Sequence, residues 1–359
     1  MTGDRLPRSP NSRNGTTMRT LVTGATGVVG TEVVDRLCAD PARPGPLTRV
    51  ARRAPDAAVT AWNIGSEPPP PDLSGHWDVI VHTAASTRWT MSRAEALAAN
   101  VDPLRAVLSL ADADTHVVHV STAYVAGARA QEDLRGPEFE GYRNGYEWSK
   151  AACESLVREE HAGPLTIVRP PLIVGRRDDG RIARFSGPYT IIHALVSGLA
   201  AVVVGDPDGY AEISPVDEVA EAVASAVLAA PPAVPRVEVV AGGTGSLRLA
   251  ELIGIACRTL NEFRAEHGVA GIEQPPFVPP ETWNRFFLPL ANQYLSPFQH
   301  QAVQLLAMFQ SYTSMATPFE PTRTVHNPGA VMETAVRHWA TRKPRLALAQ
   351  PNPWTLLAV

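Results

Sequence analysis

Residues 18–30 decide the fold, and they read Met18-Arg-Thr-Leu-Val-Thr-Gly-Ala-Thr-Gly-Val-Val-Gly30. A short β-branched apolar run stops at three spaced glycines, after which apolar residues recur at helical spacing, so strand, turn and helix follow in order. Glycine accepts the backbone angles of such a turn, and the helix N-terminus offers free N–H groups to a pyrophosphate. A glycine turn can be purely structural, but this strand–turn–helix context favours a dinucleotide site. Its predicted residues are Gly24, Ala25, Thr26, Gly27, Val28, Val29 and Gly30.

Short strands and longer helices alternate from this turn as far as Gly175. This alternation predicts an α/β chain with a Rossmann-type, doubly wound parallel sheet and helices on both faces. The periodicity is lost after Gly175, where a smaller and mostly helical unit is expected. The predicted strands cover 19–23, 48–51, 58–61, 78–82, 115–120 and 166–168, and the predicted helices beyond the first cover 93–111 and 146–161.

The composition is that of an ordinary globular chain of 359 residues, with 45% apolar and 19% charged residues. The formal net charge of −4 offers no basic excess, which argues against nucleic acid as the main partner. Cys38, Cys153 and Cys257 stand far apart and the histidines show no ligand spacing, so neither a disulfide framework nor a metal site is predicted. No apolar run is long enough for a transmembrane helix. We therefore expect a cytoplasmic enzyme.

The end of the second predicted strand selects the cofactor. An NAD site usually places an acidic residue there to accept from the ribose 2′-hydroxyl, whereas a 2′-phosphate favours arginine. Here Arg52 and Arg53 follow Ala51, and no acidic residue occurs before Asp56. Two solvated surface arginines would look the same, but the pair predicts NADP(H).

Four segments follow from this pattern. Residues 1–17 contain arginine, proline and glycine without the apolar core of a signal peptide, and they predict a disordered leader. Residues 18–181 are predicted to form the NADP-binding Rossmann domain, with segments 211–217 and 236–241 returning to its sheet. Residues 182–343 are predicted to form the substrate-binding domain, and residues 344–359 a loose tail.

Tyr146 and Lys150 stand four residues apart, on one face of a predicted helix. An ammonium beside a phenol favours the phenolate and lowers the phenol pKa, which suits proton transfer near neutral pH. Ser121 and Thr122 end the preceding strand. A YxxxK pattern alone arises by chance, but in register after strand-terminal hydroxyls it indicates a catalytic Thr122, Tyr146 and Lys150.

These motifs resemble the extended short-chain dehydrogenase/reductases. Within that superfamily the chain is similar to the fatty acyl-CoA reductases of male-sterility type and to terminal thioester reductase domains. The most branch-specific stretches are Ser121-Thr-Ala-Tyr-Val-Ala-Gly127 and Asn144-Gly-Tyr-Glu-Trp-Ser-Lys150. Further matching stretches are His82-Thr-Ala-Ala85, Ala99-Asn-Val101, 168–175 and 214–217, so the resemblance runs from residue 18 to near residue 227 and is much fainter over 275–345.

The resemblance implies roles for individual residues. Thr122 would bind the substrate oxygen, Tyr146 would be the acid, and Lys150 would hold the nicotinamide ribose. Asn100 would orient Lys150 through water. Asn63 is a departure, because the family commonly has an aspartate there to contact adenine. The further cofactor contacts that the resemblance implies are Ile64, Thr83, Ala84, Ala85, Ser121, Arg169, Pro170 and Ile173.

The resemblance also implies an NADPH-dependent reductase that converts an acyl thioester into an aldehyde and, with a second hydride, an alcohol. No adenylation or carrier domain accompanies the reductase in this sequence, so we expect the thioester to arrive on CoA or on a separate acyl or peptidyl carrier protein. Two alternatives stay open: an extended short-chain enzyme acting on a free ketone, aldehyde or nucleotide sugar, and a non-catalytic NADP-sensing regulator. A monomer and a homodimer are equally compatible with the sequence.

Four further features allow two interpretations each. Cys153 could be a nucleophile or a packing residue, and Trp89 and Trp148 could line the substrate cleft or the core. The aromatic stretch 309–319 could be a lid or a helix that closes the second domain. Four arginines could bind a phosphate or be solvated, namely Arg176, Arg177, Arg181 and Arg184.

Overall fold

The computed structural model describes residues 17–41, 45–125, 139, 141–291, 303, 309 and 312–351. The predicted leader therefore lies outside the described residues apart from Thr17, and so do Ala126 and Gly127 of the branch-specific stretch.

The strands follow one another along the chain as β1 (Thr20–Thr23), β2 (Leu47–Ala51), β3 (Val59–Ala61), β4 (Val79–His82), β5 (His116–Val120), β6 (Leu165–Arg169), β7 (Leu172–Val174), β8 (Val203–Val204), β9 (Tyr210–Ala211), β10 (Ile213–Pro215), β11 (Arg236–Ala241), β12 (Leu247–Arg248), β13 (Phe277–Val278) and β14 (Arg323–Thr324).

The helices are α1 (Val28–Ala39), α2 (Arg93–Ala96), α3 (Asp102–Leu108), α4 (Gly145–Glu160), α5 (Pro188–Ser197), α6 (Val216–Leu228), α7 (Leu249–Glu266), α8 (Pro280–Thr282), α9 (Leu288–Ala291), α10 (Pro328–Arg342) and α11 (Pro344–Ala347). None of the helices within the described ranges combines the length and the apolar character that crossing a bilayer requires.

The central sheet has eight strands in the order β14-β11-β6-β5-β4-β1-β2-β3, and every neighbouring pair is parallel. The chain builds outward from β1 to β3 on one side and then returns to β4 on the other side of β1. Such a reversal opens a crevice at the carboxyl ends of the two central strands, which is where doubly wound sheets bind nucleotides. The predicted fold class is confirmed.

Both faces of this sheet are covered, which explains why its central strands are buried along almost their whole length. All residues of β1 and β5 are buried. On one face, valines of β4, β5 and β6 pack against α1 and α6, and on the other face Val117 and Ile167 pack against α3 and α4. The sheet is therefore a rigid platform whose carboxyl edge carries the loops.

A second apolar core lies beyond the sheet. Ile192 of α5, Leu252 of α7 and Val336 of α10 belong to one buried cluster, which confirms that this part of the chain is mostly helical. The same cluster includes Tyr124 and Leu172 from the first half of the chain, so the two halves share a core. The domain boundary at residues 181/182 therefore stays a prediction.

The structure corrects two features of the predicted organisation. Segment 236–241 returns to the main sheet as β11 beside β6, whereas β10 within 211–217 pairs with β7 in a separate two-stranded sheet. The chain leaves the main sheet between β6 and β7 because Pro170 and Pro171 interrupt the strand there.

The predicted loose tail is also wrong as far as Pro351. The buried guanidinium of Arg264 donates to the carbonyl oxygens of Ala347 at 2.7 Å and Ala349 at 2.9 Å, and Ala347 is fully buried. These bonds hold the segment after α10 against α7, and residues 352–359 lie outside the described part of the chain.

Candidate active site

The glycine turn lies at the carboxyl end of β1, where it leads directly into α1. Gly24 has φ +71°, which favours glycine, and a Cβ placed on Gly30 would lie 2.1 Å from the Gly24 carbonyl oxygen. Gly27 caps α1 without any side-chain hydrogen bond, so no side chain occupies the N–H groups of the first turn. Gly27, Val28 and Val29 line the main cavity. The turn thus fits a pyrophosphate, which needs close backbone approach and free N–H donors.

The end of β4 braces this turn from the other side. The Thr83 hydroxyl donates to the Thr23 carbonyl oxygen at 2.8 Å and lies 3.3 Å from that of Gly24. The Ala84 backbone is so close that a Cβ on Gly24 would lie 2.6 Å from its nitrogen. Thr83 and Ala85 reach the cavity.

Arg52 and Arg53 follow β2 and are exposed at the same edge of the sheet. Neither guanidinium pairs with a carboxylate among the described residues, so both are free to meet an added anion. Asn63 and Ile64 follow β3, and the Asn63 N–H donates to the Glu67 carboxylate at 3.4 Å. These four residues lie outside the lining of the main cavity.

Thr122, Tyr146 and Lys150 come together in the cavity wall. The Tyr146 phenol shares a hydrogen bond with the Thr122 hydroxyl, which also donates to the Pro170 carbonyl oxygen at 3.2 Å. The Lys150 ammonium, at 4% exposure, donates to the Val120 carbonyl oxygen at 2.8 Å. The carboxyl end of β5 and the first turns of α4 therefore present two hydroxyls to one space.

The electrostatics of Tyr146 differ from the prediction. Desolvation raises the pKa of Tyr146 to about 12, and the hydrogen bond with Thr122 opposes this shift without cancelling it. Burial lowers the pKa of Lys150, and its ammonium is engaged by a backbone carbonyl. The prediction that Lys150 depresses the phenol pKa is wrong for the chain alone, because desolvation dominates. At neutral pH the phenol keeps its proton and is a hydrogen-bond donor.

Asn100 is buried and lies outside the lining of the cavity. It belongs to a π-helical turn, Leu97–Val101, that precedes Pro103, whose missing N–H cannot complete an α-helical bond to Ala99. The Asn100 amide accepts from the Ser86 N–H at 2.7 Å and donates to the Ser149 hydroxyl at 2.7 Å. It thereby joins the loop after β4 to α4 next to Lys150. Its proposed action on Lys150 remains a prediction.

Cys153 packs against the sheet one turn after Lys150. Its thiol, 2% exposed, donates to the Asn100 carbonyl oxygen at 3.4 Å, and burial raises its pKa to about 11. A thiol that is protonated and outside the cavity lining suits packing better than nucleophilic attack.

The cavity has a volume of about 420 Å³, within the range of small-molecule sites. The predicted cofactor and catalytic residues that line the cavity are Gly27, Val28, Val29, Thr83, Ala85, Ser121, Thr122, Tyr146, Lys150, Pro170 and Ile173. The predicted site residues outside the lining are Gly24, Ala25, Thr26, Gly30, Arg52, Arg53, Asn63, Ile64, Ala84, Asn100 and Arg169. Arg169 is turned away, since its guanidinium donates to Glu154 at 2.9 and 2.5 Å.

An aromatic wall, formed by Trp89, Tyr124, Phe309 and Tyr312, lines the same cavity as the triad. Trp89 stacks on Tyr312 with ring centroids 4.4 Å apart and lies 4.7 Å from Phe309, while Tyr124 meets Tyr312 edge-on at 4.5 Å. Of the two tryptophans, Trp89 lines the cleft, whereas Trp148 packs in a separate core with Phe139.

Sequence reasoning missed the support of this wall. The guanidinium of Arg143 lies 4.1 Å from the Tyr312 ring and 5.1 Å from the Tyr124 ring, and it forms an ion pair with Glu147 at the start of α4. Nothing in the sequence connects residue 143 with residue 312. The loop after β4 adds Thr87 and Thr90 to the cavity lining. Its hydroxyl-rich sequence could have predicted these two residues as part of the site.

The comparisons with known proteins agree with this geometry. The family described as male sterility protein matches residues 70–223. That segment contains the whole triad and the loop after β4.

A curated relative is the fatty acyl-CoA reductase wat of Drosophila melanogaster, which is 27% identical over 174 residues covering 39% of this chain. The chain spans 34% of the length of that relative. The terminal R domain of the myxalamid PKS-NRPS pathway has a solved structure that superposes with a TM-score of 0.66 at 19% identity, covering 93% of each chain. The UDP-glucuronic acid 4-epimerase of Bacillus cereus superposes with a TM-score of 0.56 at 16% identity, covering 90% of this chain and 99% of the epimerase. At these identities the two solved structures establish the shared fold.

Proposed function

We propose that the chain is an NADPH-dependent reductase of acyl thioesters. One observation carries the proposal: Thr122 and Tyr146 present adjacent hydroxyls to a cavity that is also lined by the glycine turn and the aromatic wall. A hydride donor and a carbonyl compound could meet in this space.

The described residues fit a nicotinamide dinucleotide. The first turn of α1 would hold its pyrophosphate, and Arg52 and Arg53 a 2′-phosphate. The Ser121 hydroxyl, buried and without a hydrogen-bond partner among the described residues, lines the cavity and could bind the same group. When bound, NADPH supplies the hydride.

The chain's own contribution is to stabilise negative charge on the substrate oxygen. Tyr146 is protonated at neutral pH, so its phenol can donate first a hydrogen bond and then the proton to that oxygen. Thr122 would supply a second donor once its hydroxyl proton turns from the Pro170 carbonyl oxygen to the substrate oxygen. One well-placed donor is worth about 10²–10³ in rate. Lys150, four residues after Tyr146 on the same helix, would favour the phenolate that forms when the proton has left.

The substrate class follows from the cavity wall and from the relatives. The aromatic wall is apolar and suits an acyl chain, while the two groups of relatives are named as fatty acyl-CoA reductases and as the reductase domain of a PKS-NRPS pathway. We therefore propose a thioester carried by CoA or by a carrier protein. We also propose that residues 18–181 hold the cofactor and residues 182–343 select the substrate.

A nucleotide-sugar epimerase or a ketone reductase is the second candidate, since the epimerase shares the fold. Two features disfavour a sugar nucleotide. The arginines after β2 suit NADPH, and the four rings of the aromatic wall suit an apolar acyl chain better than a sugar. An intact Thr122, Tyr146 and Lys150 disfavour a non-catalytic regulator.

The deciding experiment follows NADPH oxidation with a panel of acyl-CoA thioesters, ketones, and UDP- and dTDP-sugars. We expect turnover with thioesters and release of free thiol, measured with a thiol reagent. Oxidation with ketones alone, or conversion of a nucleotide sugar without net oxidation, would contradict the proposal.

A further inference from the structure

Four arginines follow β7, and the structure separates them by their partners. Arg176 pairs with Glu32 at 2.8 Å, Arg177 with Glu218 at 2.6 Å, and Arg181 with Asp179 at 3.9 Å. Arg184 is exposed and has neither an ion pair nor a hydrogen bond with any described residue. Three of the four charges are thus neutralised within the protein, and Arg184 stands apart.

Arg184 is also the member of this group that lines the cavity. It lies on the loop between β7 and α5, together with Ser186 at the end of that loop and Thr190 in the first turn of α5. The side-chain hydroxyls of Ser186 and Thr190 likewise have no hydrogen-bond partner among the described residues, although both residues are half-buried. A guanidinium and two hydroxyls therefore border one side of the cavity with their donors unused.

The charge of the cavity favours an anion at this position. Its charged lining side chains within the described ranges are Arg88, Lys150 and Arg184, and no aspartate or glutamate is among them. Arg88 is held by Glu95 at 2.5 Å and Lys150 by the Val120 carbonyl, which leaves Arg184 as the cation available to a ligand. Guanidinium geometry suits phosphate oxygens, and hydroxyls complete such sites.

We propose that Arg184, Ser186 and Thr190 bind the phosphate that follows the pantetheine arm of the thioester. This inference rests on the proposed function and names a recognition element within it. The phosphate is common to CoA and to a phosphopantetheinylated carrier protein. The site would therefore recognise the pantetheine arm and would not distinguish CoA from a carrier protein. The acyl end of the arm would then extend toward Tyr146 and the aromatic wall.

Equilibrium binding tests the site without any turnover. Isothermal titration calorimetry would compare 4′-phosphopantetheine with pantetheine, which lacks the phosphate, on the wild type, on Arg184→Gln and on the matched control Arg181→Gln. We expect Arg184→Gln to weaken 4′-phosphopantetheine binding about tenfold, the usual size of one lost charge-assisted contact. Pantetheine binding and the control should be unaffected. Equal losses for both ligands or for both variants, or no preference of the wild type for the phosphate, would overturn the proposal.

Kinetics then separate this inference from the proposed function. One acyl group is presented on CoA, on a phosphopantetheinylated carrier protein and on neutral N-acetylcysteamine. We expect Arg184→Gln to lower kcat/KM for the first two thioesters and leave the third and the KM for NADPH unchanged. A loss confined to CoA would assign Arg184 to the nucleotide part of CoA and overturn the shared-arm proposal. If thioesters are turned over and Arg184→Gln has no effect on kcat/KM, the proposed reductase activity stands and the phosphate site is contradicted. If the phosphate is bound but no thioester is turned over, the phosphate site stands and the reductase activity is contradicted.

Discussion

At the residue scale, the proposed chemistry depends on the protonation state of the Tyr146 phenol, which desolvation controls. Burial raises the pKa of this phenol to about 12, so the resting group is an acid. Thr122 shares its hydrogen bond and is anchored to the Pro170 carbonyl, which fixes the two hydroxyls side by side. The proposed role needs no ionised phenolate in the resting chain, because the phenol has to give its proton to the oxygen on which negative charge develops.

Tyr146→Phe removes the acid and leaves the ring. We expect kcat to fall about 10²–10³-fold, since one donor to the developing oxyanion is lost. NADPH affinity should barely change, because the phenol is not part of the glycine turn. Initial rates with a thioester and a fluorescence titration of NADPH measure the two quantities. Tyr142→Phe, just before the start of α4, is the matched control, and near-normal turnover of Tyr146→Phe would refute the assignment of the acid.

The joint substitution of Arg52 and Arg53 with alanine tests cofactor choice. Because the 2′-phosphate is the group that NADPH has and NADH lacks, we expect KM for NADPH to rise at least about tenfold while KM for NADH stays within about twofold. Steady-state kinetics with both cofactors check this. Equal changes for NADPH and NADH would show that the two arginines are surface residues.

At the element scale, the start of α4 is tied to the aromatic wall. Asn144 caps α4 by accepting from the Glu147 N–H at 3.1 Å, and its amide donates to the Tyr312 hydroxyl at 2.7 Å. Arg143 adds its ion pair to Glu147 and its contact with the Tyr312 ring. The helix that carries Tyr146 and Lys150 therefore has its N-terminus fixed by a side chain from residue 312.

Tyr312→Phe removes the hydrogen bond between Asn144 and Tyr312 and keeps the aromatic ring in place. Asn144→Ala removes both this hydrogen bond and the N-terminal cap of α4. We expect Asn144→Ala to lower the free energy of unfolding by about 1–2 kcal/mol through the lost cap. Tyr312→Phe should cost less, about 1 kcal/mol for one hydrogen bond that leaves a partner unsatisfied. Urea denaturation of both variants gives the comparison, and an equal cost for the two would mean that the cap contributes nothing.

The Trp89–Tyr312 stack forms part of the cavity lining. Trp89→Ala would open space behind it, so we expect kcat/KM to shift toward longer acyl chains, by about 10-fold for each pair of added methylenes that becomes buried. A series of thioesters of increasing chain length measures the shift. Trp148→Phe, in the neighbouring core, is the control, and an unchanged chain-length profile for Trp89→Ala would exclude this wall from the acyl site.

At the scale of the whole molecule, the parallel sheet holds neutral histidines in its interior. Burial lowers the pKa of His82 to about 3 and that of His116 to about 4. His82 shares a 2.8 Å hydrogen bond with Thr23, and His116 a 2.9 Å hydrogen bond with Thr166, so both rings cross-link strands while uncharged. Both rings must gain a proton when the chain unfolds in acid.

Stability is therefore expected to fall as the pH drops below 6.5. In the folded state the two pKa values lie below the unfolded value of 6.5, so the unfolded chain binds more protons in that window. Each histidine then costs up to about 1.4 kcal/mol per pH unit between pH 6 and 4. Urea denaturation across this range measures the slope.

Two substitutions test whether the buried histidines cause this dependence of the unfolding free energy on pH. His116→Asn should reduce it by about a third, because His82 remains and burial also lowers the pKa of His119 in the same sheet. His76→Asn is the control: the Asp112 hydrogen bond raises the pKa of this exposed ring, so its effect falls above pH 6.5. A slope that His116→Asn leaves untouched would show that other groups govern acid unfolding.

The sequence by itself determined the features that repeat over a few residues. The order of β1, glycine turn and α1, the alternation of strands and helices, and the shared helix face of Tyr146 and Lys150 are local patterns, so spacing alone predicts them. Short β-branched runs also indicated strands, such as residues 78–82, which contain β4.

Only the tertiary structure decided which charges find partners and which rings meet. Arg184 differs from Arg176, Arg177 and Arg181 through carboxylates that the fold brings from other segments, and Arg143 meets Tyr312 across 169 positions of the sequence. The pKa of Tyr146 and the docking of Ala347 on Arg264 also depend on the surrounding protein. Desolvation and long-range pairing are properties of neighbours in space, and for this reason the sequence pattern could name the candidate residues without ranking them.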